Sequence, residues 1–182
     1  AQQRMWFVNQ LDTGSPVYNI AFAVTLTGQL DVAALRAAIG DVVERHEALR
    51  TVFPVDAEGP QQVIVPAESA VPDVRPAVAE RDDAWEQIRR VSVVGFDVRE
   101  EPPLRAQLFR LGPEEHVLAV VVHHIAADGQ SVSPLSRDVM VAYDARRAAG
   151  APRWVPLPVQ YADYALWQRE MLGDERDGRS VA

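Results

Sequence analysis

The chain has 182 residues, 48% of them apolar and 24% charged, with no cysteine and a formal net charge of -8. That length builds one well-cored domain or one lobe of a larger one, and the composition is that of an ordinary soluble globular protein. The acidic balance argues against a nucleic-acid partner. The lack of cysteine removes a disulfide framework, a thiol nucleophile and a thiolate metal site, and no window reaches the ~18 apolar residues of a membrane span.

The first residues, Ala1-Gln2-Gln3-Arg4, lack a signal-peptide pattern and start abruptly, as if cut from a longer chain, so the expected location is the cytoplasm. Residues 1–12 place Met5, Trp6, Val8 and Leu11 at a spacing that predicts a short helix with one apolar face. Residues 19–27 alternate, with Ile20, Phe22, Val24 and Leu26 on one face, and predict a strand packed on one side. Asp31 is a good N-cap for a helix whose stripe, Val32, Leu35, Ile39, Val42 and Val43, runs to about His46. Arg50–Phe53 and Gln61–Val65 read as strands joined by a turn, and 66–78 as extended connection. A helix is expected over Arg81–Ser92, with Trp85, Ile88 and Val91 on one side.

After Pro102-Pro103, Leu104–Leu111 and the run from His116 predict an antiparallel hairpin around a four-residue turn, Gly112–Glu115. The run Val117–Val122 is unbroken and β-branched, so it reads as a strand buried on both faces. A further helix is expected over about Ser131–Ala148, with Val132, Leu135, Val139 and Tyr143 inward, and a last one over Val159–Leu172 beyond a proline-spaced linker. The tail, Gly173–Ala182, is polar and expected to fray. The pattern is an α/β (α+β) fold with mixed strands and helices, and no Gly-rich loop supports a nucleotide site.

The chemistry concentrates where the buried strand runs into His123-His124-Ile125-Ala126-Ala127-Asp128-Gly129. Neighbouring side chains on a strand point to opposite faces, so one histidine faces the core and the other a cleft. Amide groups at the start of the helix after Asp128-Gly129 would form an oxyanion cradle. An imidazole beside free amides is the minimum equipment for acyl transfer. A buried histidine is more often a satisfied core residue and Asp-Gly more often a simple turn. A metal site is weaker still, because adjacent histidines diverge and no second cluster supplies further ligands.

HHIAADG resembles the HHxxxDG motif of the condensation domains of nonribosomal peptide synthetases, relatives of chloramphenicol acetyltransferase. AQQRMW at 1–6 is similar to that family's opening motif, RHEALRTVF at 45–53 to its second and VQYADYALWQRE at 159–170 to its fourth, in the family's order. The resemblance implies a two-layer, chloramphenicol acetyltransferase-like lobe with a mixed sheet flanked by helices. Residues 1–172 would be the N-terminal lobe of a condensation domain, and 173–182 the start of a linker to a missing C-terminal lobe.

It also implies the chemistry. In the parent, an acceptor amine held on a carrier protein attacks a donor thioester on another, forming a peptide bond; the lone lobe would be inactive. His124 matches the catalytic residue, as general base or as a positioning group. His123 would support the fold, and Gly129 would let the pantetheine-linked substrate approach. Asp128 would be structural, paired with an arginine, either Arg45 or Arg50. His46 and His116 have no claim beyond structure, and Trp6, Tyr161, Tyr164 and Trp167 would pack.

No cofactor or metal is expected to bind directly, the substrates riding on phosphopantetheine arms. Carrier proteins, the C-terminal lobe and an adenylation domain are the implied partners, in antibiotic or other secondary metabolism. Gln130 departs from the aromatic or hydrophobic residue common after the motif, which touches substrate preference. Other readings are an epimerisation domain of the same superfamily, a non-catalytic lobe that docks carriers, and, more distantly, a free acyltransferase using coenzyme A.

Overall fold

The structure is a computed structural model that describes residues 2–57 and 59–172; the tail expected to fray lies outside them. Its elements are α1 (Gln2–Leu11), β1 (Asn19–Thr27), α2 (Val32–Arg45), a 3-10 turn (Glu47–Arg50), β2 (Thr51–Val52), β3 (Val55–Asp56), β4 (Gly59–Pro60), β5 (Val63–Ile64), α3 (Ala67–Ala70), β6 (Pro76–Val78), α4 (Arg81–Ser92), β7 (Leu104–Gly112), β8 (Glu115–His123), α5 (Val132–Arg147) and α6 (Tyr161–Leu172).

Four strands form the main sheet in the order β1-β8-β7-β6, antiparallel except for the parallel pair β6 and β7. The expected mixed sheet flanked by helices is what forms, and helices stand on both of its faces. β8 lies inside the sheet and is nearly all buried, which is why its sequence is an unbroken apolar run.

Side-chain alternation divides β8 into two faces. Val117, Ala119, Val121 and His123 face α1 and α4. There Ala84 and Ile88 meet Phe109, while Phe53, Phe96, Val98 and Trp6 surround Val121. Leu118, Val120 and Val122 face α2 and α5, meeting Leu35, Ile39, Val42, Leu135 and Val139. α2 starts where expected, Asp31 Oδ1 accepting from Ala34 N–H at 2.9 Å. α2 and α5 are tied by polar clamps as well: Arg146 bonds both carboxylate oxygens of Asp41, at 2.7 and 2.5 Å.

Several expectations change. Residues 66–78 are not plain connection: they hold α3, and β6 joins the sheet edge. Three residues beginning with proline give no period to read, and an edge strand tolerates the missing N–H at its first position. The hairpin connection is two residues, since Gly112 already pairs with Glu115. Arg50 belongs to the 3-10 turn, leaving only Thr51–Val52 to pair with Val63–Ile64. On α1 the buried residue is Asn9, whose Nδ2 donates to Phe96 O at 2.7 Å, while Leu11 is 73% exposed. An amide whose Nδ2 is bonded, while its buried Oδ1 has no partner among the described residues, sits inside where an apolar stripe was expected.

The segment after α4 is held by three side chains. Asn19 Nδ2 donates to Ser92 O and Val94 O, and Arg105 donates to Val94 O and Gly95 O while lying 3.8 Å over the Phe96 ring. Asn9 holds Phe96 O. Gly95 sits so close to the loop after α1 that a Cβ on it would stand 2.2 Å from Thr13 O.

Candidate active site

The two histidines separate as strand geometry requires. His123 is 1% exposed, its ring set edge-on between Tyr18 and Phe96 with centroids 5.8 and 5.9 Å away. Its Nδ1 accepts from Ile125 N–H at 3.1 Å, so the neutral ring carries its proton on Nε2. Burial, helped by the neighbouring His124, pushes its pKa down to about 4. His123 therefore stays neutral and acts as a backbone cap.

His124 is exposed and stands one residue past the end of β8, in the turn that follows. Its N–H donates to Tyr18 O at 2.8 Å, the last rung that β8 makes toward the β1 side, and Ala126 N–H to His123 O then closes the turn. Tyr18 thus grips both histidines, one by its carbonyl and one by its ring.

Asp128 meets neither expected arginine. Its Oδ1 accepts from Ser131 N–H at 3.0 Å and from the Ser131 hydroxyl at 2.7 Å, and its own N–H donates to Ser131 Oγ at 3.1 Å. The Ser131 hydroxyl is the main reason its carboxyl lies below the usual carboxylate range, with backbone amides and His124 adding to it. An Asx-type bond is local and needs no distant cation, so it forms in place of the implied ion pair.

The same bonds narrow the expected cradle of amides, because those of Asp128 and Ser131 are already committed. The amide of Gly129 has no hydrogen-bond partner among the described residues. A Cβ on Gly129 would meet nothing within 4 Å. The glycine leaves room that no other described part of the chain uses.

Arg45 and Arg50 do other work. Arg45 Nε donates to Asp138 Oδ2 at 3.0 Å, its Nη1 to Val155 O at 2.8 Å, and the guanidinium lies over Trp154. His46 Nε2 reaches the same Asp138 oxygen at 2.9 Å. Arg50 bonds Val65 O and Glu44 O. Asp138, 6% exposed in the middle of α5, is the acid that sequence reasoning missed. Leu135, Asp138, Val139 and Ala142 fall at i, i+3, i+4 and i+7, which put it on the buried stripe.

His116 is buried with Nδ1 unpartnered, and burial and Arg110 lower its pKa. Trp6 packs as expected, its Nε1 donating to Phe53 O. Tyr161, Tyr164 and Trp167 instead contact one another on an exposed ridge of α6, with centroids 5.9 Å apart. Among the described residues no three His, Asp or Glu side chains converge to hold a metal ion.

The sheet face of Leu118, Val120 and Val122 borders a cavity of about 350 Å³ between the sheet and helices α2 and α5. Val122, two residues before His124, lines one end of it.

The sequence matches the condensation-domain family over residues 1–180, and the chain belongs to that family. It is 51% identical to an isonitrile lipopeptide synthase of Mycobacterium tuberculosis, across 99% of this chain and 7% of that protein. It is 46% identical to a dimodular nonribosomal peptide synthase of Bacillus subtilis, across 100% of this chain and 8% of that one. Among solved structures, the X-domain of teicoplanin biosynthesis in complex with OxyB superimposes with a TM-score of 0.89 at 41% identity, over 98% of this chain and 39% of that one. The chain therefore spans under a tenth of these curated relatives and about two fifths of that solved domain.

Proposed function

We propose that residues 1–172 are the N-terminal lobe of a nonribosomal peptide synthetase condensation domain, with 173–182 leading toward a second lobe. In the whole domain an acceptor amine attacks a donor thioester, both held on phosphopantetheine arms of carrier proteins. The new C–N bond forms as the C–S bond breaks, and the proton shed by the nitrogen ends on the departing thiol. An adenylation domain of the same synthetase would load the carriers, and the assembly would work in the cytoplasm. Among the described residues no helix is long and apolar enough to cross a membrane.

The observation that supports this reading most is the division of labour between the histidines. His123 is sealed, neutral and committed to Ile125 N–H, while His124 is exposed, held at its backbone by Tyr18, and its ring has no hydrogen bond among the described residues. An α-amine has a reference pKa near ~7.7–8.0, so little basicity is needed, and orienting the amine contributes alongside proton transfer. Asp128, turned toward Ser131, shapes the loop. As half of a two-lobed site, this piece alone is expected to be inactive.

The test is His124→Ala in the intact synthetase with both carriers loaded. Dipeptide formation is expected to fall roughly 10²–10⁴-fold. An unchanged rate overturns the assignment. Racemisation of a single carrier-bound aminoacyl group, with no acceptor present, would point to epimerisation instead.

The likeness to an X-domain solved with OxyB favours one second reading, a docking lobe without turnover. Intact carrier binding with no product from the unmodified parent would support it.

A further inference from the structure

Three buried polar atoms on the packed face have no hydrogen-bond partner among the described residues: His123 Nε2, Asn9 Oδ1 and Asn19 Oδ1. Buried polar side chains in native proteins are nearly always paired, so three such atoms in one layer call for an explanation. His123 is 1% and Asn9 3% exposed, so bulk solvent serves neither.

The three residues converge. Asn19 and His123 stand directly opposite each other on β1 and β8. His123 N–H turns the other way, to Pro103 O at 3.0 Å. The two residues are therefore a non-hydrogen-bonded pair, the kind whose Cα atoms lie ~4.5 Å apart and whose side chains come closest. Both amides are seated on one short stretch of backbone. Asn19 Nδ2 donates to Ser92 O and Val94 O, at 2.9 Å each, and Asn9 Nδ2 to Phe96 O at 2.7 Å. The ring of Phe96 in turn stands edge-on to the ring of His123.

The chemistry of the three atoms limits what can join them. Ile125 N–H occupies Nδ1 of His123, so Nε2 carries the proton and is a donor. A protonated ring nitrogen does not ligate a metal ion. The two amide oxygens are acceptors, their nitrogens being committed to carbonyls. Two acceptors cannot bond each other, and one donor cannot satisfy both with a single hydrogen. A water molecule closes the count. It accepts from Nε2–H and gives one hydrogen to each oxygen, making the ~3 bonds typical of a buried water.

We propose that His123, Asn9 and Asn19 hold one buried water molecule where α1, β1 and the end of β8 meet, and that the two asparagines are positioning residues. Through the water they lock the His123 ring in the tautomer whose Nδ1 is free to receive Ile125 N–H. That bond, together with Ala126 N–H on His123 O, shapes the turn on which His124 stands.

The test uses the intact condensation domain. A high-resolution crystal structure is expected to show one ordered water about 2.7–3.2 Å from each of the three atoms. Imidazole nitrogen NMR is expected to show His123 as the Nε2–H tautomer, its proton protected from exchange and giving a cross-peak to a long-lived water. Asn9→Leu and Asn19→Leu each delete one acceptor. Each should speed exchange of that proton at least about tenfold, the scale of one lost hydrogen bond, and make the Nδ1–H tautomer detectable. His123→Gln, which offers an acceptor to Ile125 N–H and a donor to the water, should keep the water in place, and His123→Leu should lose it.

A dry contact among the three side chains overturns the proposal, as does a side chain from the second half of the domain seated between them. So does an Nδ1–H tautomer in the unmodified domain. Exchange and tautomer unchanged in both asparagine variants overturn their positioning role. The measurements on the unmodified domain decide the water even where a variant fails to fold. Because every readout here is structural, its result is independent of the His124→Ala turnover assay, and either can fail alone.

Discussion

The two faces of the sheet are built to different standards. On the side of His123, Phe96, Val98, Phe109 and Val117 show no accessible surface, and the contacts are ring edges, aliphatic packing and backbone carbonyls held by Asn9, Asn19 and Arg105. On the side of Leu118, Val120 and Val122 a cavity remains, and the helices above it are held by ion pairs, Arg45 with Asp138 and Arg146 with Asp41. Close packing fixes one face; on the other, polar clamps tie α2 to α5 within the helix layer above the cavity. A strand end rigid on one side and roomy on the other suits the role proposed for His124.

The largest effect expected from breaking this contrast comes at the clamp. Asp138→Ala leaves Arg45 and His46 facing each other without their shared acid, and should cost about 3–5 kcal/mol by denaturant unfolding of the domain. A loss well under 1 kcal/mol would mean that the helices are held by apolar contact after all.

Next is the pH response of the packed face. Because the folded pKa of His123 lies at about 4, below its ordinary value of 6.5, the unfolded chain takes up that proton first. Stability from this residue is complete above about pH 6.5 and is lost as pH falls toward 4, on the order of 3 kcal/mol in all. His123→Phe should flatten that slope in acid melts; an unchanged slope would place the sensitivity elsewhere.

A matched pair sharpens the comparison further. Val117→Ala, on the filled face, should cost about 2 kcal/mol, whereas Val120→Ala, beside the cavity, should cost roughly half as much, because fewer contacts are lost. Equal losses in thermal unfolding would erase the distinction between the faces. The smallest change is Ser131→Ala, which removes the main cause of the lowered pKa at Asp128. Its carboxyl titration, followed by NMR, should move up toward the ordinary value, with no change in the melting of the packed side.

Long elements were legible because their physics is local. The buried run of β8, the alternation of β1 and the stripe of α2 each repeat often enough to be read, and the histidine pair stood out by interrupting apolar sequence. What escaped depends on a few residues or on tertiary contact. β6 is three residues long and starts with proline. Asn9 is buried because Phe96 O needs a donor, which no periodicity announces. At the site, His123 and His124 separate as alternation predicts, but the partner of Asp128 is its near neighbour Ser131, and Arg45 and His46 share an acid 93 and 92 positions away. The Asp128–Ser131 spacing was visible in the chain, though a local bond of that kind competes with any charged partner, and only coordinates decide between them.

Gly95 ties these themes to the remote side of the molecule. Because its missing side chain admits the Thr13–Gly14 loop, the path from α1 into β1 is seated there, and four residues beyond Gly14 comes Tyr18, whose carbonyl fixes the backbone of His124. One added methyl group, far from any substrate, would lift that loop and with it the anchor of the imidazole. The backbone that carries the His124 ring is thus set in part by an atom that the chain does not have.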